Sequence, residues 1–181
     1  MYPLARFTSA VIKARRMPKM ALTDTHVSQH RCWPWDIDVW MELNNGRAMT
    51  LYDLGRTMIS ERTGLTPVLF QRKWGLAVVG SSVRFRRRIR TFEPFEMRSR
   101  GVTWDDKFIY MEQSMWNRNG DCASHVMFRT AATDKNGIVP PAEVVKALGA
   151  DPTPPPMPDW MQAWCRADAT RPWPPMQDGV E

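Results

Sequence analysis

Residues 33–64 read WPWDIDVWMELNNGRAMTLYDLGRTMISERTG, and the change of pattern inside them decides the fold. The stretch opens with strand-like residues and two aspartates, Asp36 and Asp38, and turns at the polar elbow Asn44-Asn45-Gly46. From Ala48 the apolar residues Leu51, Tyr52, Leu54, Met58 and Ile59 recur at threes and fours, while Thr50, Asp53, Thr57, Ser60 and Glu61 gather on another side. That is an amphipathic helix. Asn44 or Asn45 suits its N-cap and Gly64 its C-cap. Spanning Asn45 to Thr63, it would be about 27 Å long, enough to cross a small domain. Gly55 lowers helix stability in mid-helix, so it predicts a close approach to another backbone.

The chain around this helix is organised simply. Thr25–Trp35 is expected to be a strand, with Pro34 near its end. Thr66–Lys73 reads as a connection. Four strands should follow, Trp74–Arg90, Phe95–Thr103, Lys107–Asn117 and Cys122–Thr133. Trp104-Asp105-Asp106 and Asn119-Gly120-Asp121 supply hairpin connections. Alternation in Lys107–Asn117 is imperfect, which suits a strand covered by the helix on one side and by a partner on the other. One helix followed by a run of antiparallel strands is α+β. Pro140–Leu148 reads as a short capped helix. Beyond it lies an extension, residues 150–181, in a region where prolines concentrate: ten of the fifteen lie in 140–181. Asp159–Arg166 promises a helical turn or two with Trp160 and Trp164 on one face, either covering an apolar patch or substrate mouth or hugging the surface. The last ten residues read as loose.

Charge is distributed unevenly. Of a formal net +6, residues 1–23 hold five basic residues and no acid, so the other 158 residues are close to neutral. A nucleic-acid-binding body is therefore not expected. The basic arm, with Leu4, Phe7, Val11 and Ile12 at helical spacing, suits a helix packed on the domain or on a neighbouring subunit, peripheral membrane contact through residues 1–20, or a targeting peptide. Three widely spaced cysteines make no disulfide framework or zinc pattern, and no run approaches 18 apolar residues. A reducing, cytoplasmic location is expected. His26 and His30 on a strand would stand about 13 Å apart, too far to share an ion, so no metal is expected.

The pattern Asp36-x-Asp38-x-x-x-Glu42-x-Asn44-Asn45, followed by Asp53 and Arg56 on the helix, resembles that of hotdog-fold acyl-CoA thioesterases of the 4-hydroxybenzoyl-CoA type. The longer phrase WPWDID…LNNGR…LYDLGR looks like the bacterial thioesterase-like branch, and the resemblance spans residues 24–149. It departs from the family pattern where Glu42 replaces His, Ala48 replaces Tyr and Asp53 replaces Glu. The resemblance implies a curved antiparallel sheet wrapped around one long helix. It also implies an acyl-CoA substrate whose coenzyme A is the only cofactor-like group, and a homodimer or homotetramer with its active site between subunits.

Thioester hydrolysis needs a nucleophile or base and a place for the developing oxyanion. A carboxylate-bearing strand that runs into a helix N-terminus offers both, because the first helical amides are unpaired and lie at the positive end of the dipole. By resemblance Asp38 is the nucleophile or general base. The amide near Asn45, with Gly46 next and Asn44 beside it, would hold the thioester oxygen. Glu42 would position water or Asn44, or be a solvated loop acid. Asp53 resembles the family's helical acid, Arg56 would pair with it at i, i+3, and Asp36 goes to turn formation. In VRFRRRIR, a strand would put Arg84, Arg86, Arg88 and Arg90 on one face about 6.6 Å apart. That ladder reads as a cradle for coenzyme phosphates or as a solvated face that discourages edge pairing. Loss of His at 42 and Tyr at 48 also admits a non-hydrolytic acyl-CoA- or lipid-binding protein.

Overall fold

The computed structural model describes residues 3–176. In chain order its elements are α1 (Leu4–Arg15), β1 (His26–Arg31), α2 (Asn45–Thr63), α3 (Leu65–Arg72), β2 (Gly75–Phe85), β3 (Pro94–Trp104), β4 (Ile109–Trp116), β5 (Cys122–Asp134), β6 (Gly137–Val139), α4 (Pro141–Ala147) and α5 (Asp159–Ala169). A 3₁₀ turn, Pro34–Asp36, lies between β1 and α2. The sheet runs β1-β3-β4-β5-β2, all antiparallel, with β6 on the far end of β5. This is the α+β hotdog arrangement, a curled sheet around α2.

The helix begins and ends where its caps demand. Asn44 Oδ1 accepts the Arg47 amide at 3.0 Å, and Gly64 closes the helix at φ 80°. Leu51, Tyr52, Leu54 and Ile59 are buried against Phe95, Met97, Met115, Val126 and Phe128 of the concave face. Gly55 does mark a close approach, but to side chains rather than backbone. A Cβ there would fall 2.5 Å from Ser99 Oγ, 2.6 Å from Gln113 Nε2 and 2.7 Å from Met97 Sδ. Gln113 fills that space as a buried polar hub. Its amide donates to Tyr52 O at 3.0 Å and Ser99 Oγ at 2.8 Å, and its oxygen accepts from Arg56 at 3.0 Å. Each polar atom of a buried amide needs such a partner, so the hub fixes helix on sheet.

Three expectations change. Residues 66–73 are not a bare connection: α3 forms there, its Pro67 falling in the first turn where no amide bond is lost. The strand expected over 74–90 stops at Phe85, because the amides of Arg86 and Arg87 both turn to Ala123 O, at 2.7 and 3.1 Å. The arginine ladder is therefore broken. Arg84 lies on β2, whereas Arg86 and Arg88 lie on an irregular segment. Finally, the far side of β4 is covered by this chain's own tail. Tyr110 and Met127 pack on Met161 of α5, Thr103 and Trp104 donate to the carbonyls of Pro155 and Pro152, and Arg129 pairs with Asp168 at 2.8 Å. The looseness expected of the final ten residues falls partly on 177–181, outside the described residues.

The basic arm is also a packed element. Ala10 and Ala14 of α1 are buried with Met58 of α2, and Arg15 pairs with Glu61 at 2.9 Å. Among the described residues no helix is long and apolar enough to cross a membrane.

Candidate functional site

The elbow is built from a small hairpin of backbone bonds. Asp38 N donates to Glu42 O at 2.9 Å, Ile37 bridges Leu43, Leu43 N donates to Ile89 O, and Glu42 bridges Arg90. Its tip, Val39-Trp40-Met41, is 87, 76 and 61% exposed, an unusual display for three large apolar side chains. The Asp36 carbonyl accepts the Asn44 amide at 2.9 Å, so the turn ends directly in the cap of α2.

Three carboxylates stand at this elbow and have different fates. Asp36 is fully buried and paired with Arg6 and Arg47, each at 2.7 Å, and it also accepts the Trp33 amide at 3.0 Å. Burial works to raise its pKa, but these hydrogen bonds outweigh it and hold the carboxyl below the usual aspartate range. Glu42 lies 2.8 Å from Arg88 Nε, an ion pair without the alignment of a hydrogen bond. Asp38 accepts the Trp40 amide at 2.8 Å and has no ion pair among the described residues.

A cavity of about 190 Å³ opens at the first turn of α2, lined by Glu42, Asn45, Ala48, Ser124 and Arg86–Ile89. Below it Tyr52 and Ser124 share a 2.8 Å hydrogen bond, with the phenol pKa raised by burial. The structure thus brings Glu42, Asn45, Arg86 and Arg88 together. Asn44 and Gly46 adjoin them as the cap and second residue of α2. Asp38 is joined to Glu42 through the backbone but does not line the cavity. Arg84 is exposed on β2, away from this lining.

Asp53 belongs elsewhere. It lines a separate, mainly apolar cavity of about 510 Å³ between α1, α2, α3 and β2, and it is paired with Arg56. The Arg56 guanidinium lies 3.8 Å from the centre of the Phe128 ring. The polar helix stripe therefore contains a fixed ion pair. His26 and His30 have different partners as well as different places along the strand. His26 accepts from Arg62 at 2.8 Å, and His30 shares a 2.8 Å hydrogen bond with Ser28.

The sequence points Asp36 mainly to turn formation, and the structure adds its buried ion pairs. Its main partner, Arg6, is thirty residues away on α1, so no local spacing signals the pair.

Residues 32–165 match the family model of the thioesterase-like superfamily, and the chain belongs to that family. Among curated relatives it is 30% identical over 151 residues to "Protein THEM6" of Drosophila melanogaster, covering 82% of this chain and 76% of that protein. It is 32% identical over 118 residues to "Protein THEM6" of Xenopus laevis, covering 65% of this chain and only 57% of that one. Solved structures share the fold. A putative oleoyl thioesterase from Lactobacillus plantarum superposes with a TM-score of 0.63 at 17% identity, over 71% of this chain and 52% of that one. YbaW, a probable thioesterase from Escherichia coli, gives 0.63 at 16% identity, over 67% and 95%.

Proposed function

We propose that this chain is an acyl-CoA thioesterase whose chemistry takes place at the elbow. The observation that carries the reading is the meeting of α2's open N-terminal turn with the arginine segment 86–88 in one cavity, beside a carboxylate without an ion pair. The thioester oxygen accepts from the amide near Asn45, where the helix dipole favours negative charge. Asp38 attacks the carbonyl or takes a proton from the attacking water. Collapse of the tetrahedral adduct expels the coenzyme thiolate, which recovers a proton; the general-base route leaves the free acid at once, whereas direct attack leaves an acyl–Asp38 anhydride that water then opens to free acid and regenerated carboxylate. Arg86 and Arg88 attract the coenzyme phosphates, with Arg88 also balancing Glu42. Coenzyme A enters as part of the substrate and no separate cofactor is needed.

A second copy would complete this site. The 11-residue β2 forms one edge of the sheet and leaves Leu76, Val78, Val79, Val83 and Phe85 between 37 and 47% exposed. A long apolar edge invites pairing. Light scattering should therefore give at least twice the chain mass, and Val79→Lys should reduce it to a monomer. A wild-type monomer at micromolar concentration contradicts the pairing.

One observation favours a non-hydrolytic acyl-CoA binder instead: Glu42 is committed to Arg88 while Asp38 bends back to Trp40 N. A panel of acyl-CoA thioesters from short to long, read by thiol release, separates the two. Turnover of any panel member supports hydrolysis. Saturable binding across the panel without turnover supports the binder.

A further inference from the structure

The largest of the cavities described lies away from the elbow cavity. It has a volume of about 790 Å³ and runs between α1 and the edge strand β1, with α2 as its floor. That size is within the usual range for sites that enclose small ligands. One wall, α1, precedes residue 32, where the family match begins, and the other, β1, is an edge strand of the sheet. The helix laid beside the sheet edge closes the cavity.

Its lining is chemically one-sided. Met17 and Val27, 36 and 43% exposed, supply open apolar surface beside a nearly sealed floor of Ala10, Leu54 and Met58. Arg6 and Lys13 of α1, Arg16 just past its end and Arg31 of β1 supply positive charge, and among the described residues no aspartate or glutamate lines the cavity. The charges differ in availability. Arg6 is held by Asp36 and Arg31 donates to Phe92 O, whereas Lys13 and Arg16 have no carboxylate partner among the described residues. His30 adds no charge at neutral pH. Burial first, then Arg6, His26 and Lys13, hold its pKa down to about 4.

We infer that this groove binds an anionic amphiphile, an apolar chain lying over Met17 and Val27 with its carboxylate or phosphate head between Lys13 and Arg16. Apolar burial supplies most of the affinity and the cations select the head group. A neutral lipid would leave both cations without a role. The inference stands whether or not the elbow hydrolyses thioesters.

The test is calorimetric titration of the whole chain with dodecanoate, dodecyl phosphate and dodecanol. Both anions should bind, and dodecanol should bind at least about tenfold more weakly, the factor that one lost charge contact is expected to set. Lys13→Ala/Arg16→Ala changes exposed side chains only, and it should bring the anions to the affinity of dodecanol. Val27→Trp from β1, or Ser9→Trp from the facing helix, should fill the groove and abolish binding of all three. Whichever anion binds more tightly identifies the head as fatty-acid-like or phospholipid-like. Equal affinity for dodecanol and the anions would overturn the inference. So would undiminished anion binding in the double variant, or in both filled variants with unchanged thermal melts.

Discussion

The two aspartates of the elbow, two residues apart, occupy opposite environments. Asp36 is sealed beneath the turn by two arginines from different helices, and Asp38 sits at the base of an exposed apolar tip with one backbone donor. A carboxylate fully neutralised by ion pairs holds a structure together. One that keeps an uncommitted oxygen remains available for chemistry. The motif places both residues in the same phrase, and only three-dimensional partners separate their roles.

The contrast is broken most directly at Asp36. Asp36→Ala leaves Arg6 and Arg47 facing each other without a counter-charge. Removing one partner of a buried pair should cost about 3 kcal/mol, the low end of the usual range because both arginines keep some contact with water. Urea unfolding checks this as a lower midpoint at unchanged slope. Asp38→Asn in the same assay should stay within about 0.5 kcal/mol of wild type, as substitutions away from the core and its ion pairs do.

Acid sharpens the same comparison. His26 and His30 titrate at about 4 when folded, against an ordinary value of 6.5. The unfolded chain therefore binds more protons between those values, so stability is full above pH 6.5 and falls as pH drops toward 4. Glu112, held at about 2 chiefly by its His125 hydrogen bond and then by Arg100, extends the loss below 4.5. The depressed carboxyl of Asp36 acts in the same direction. Melting temperature should thus decline steadily from pH 7 to 3. The gap between wild type and Asp36→Ala should narrow at the acid end. A pH-independent Asp36 gap would show that packing, not charge, is what the substitution removes.

A smaller effect is expected from the arginine segment. Arg86→Gln/Arg88→Gln should raise the apparent substrate constant several-fold and flatten its salt dependence, leaving the maximal rate nearly intact. If acyl-CoA and a truncated acyl-pantetheine thioester weaken equally, the phosphates are not what these arginines bind.

Much of this architecture is legible in local sequence. The bounds of α2 follow from Asn44, Gly64 and the apolar period between them, and the hairpins follow from their turn residues. What is not legible depends on distant partners. The end of β2 at Phe85 requires Ala123 O to capture two successive amides, which the alternation in VRFRRRIR does not reveal. The imperfect alternation of β4 correctly signals cover on both faces, but that cover is α5, some fifty residues downstream. At the site, the residue types around the helix N-terminus could be named in advance. Their grouping could not. The motif draws Asp53 toward the chemistry, yet it lies in another cavity beside Arg56.

The central claim is that Asp38, not the buried Asp36, carries the chemistry of the elbow. It is tested by thiol release from the best acyl-CoA of the panel with wild-type and Asp38→Asn proteins of matched stability. The account predicts a fall in turnover of about 10² or more, the lower range for losing acid–base help, with substrate still bound. Full turnover by a folded Asp38→Asn protein would contradict it.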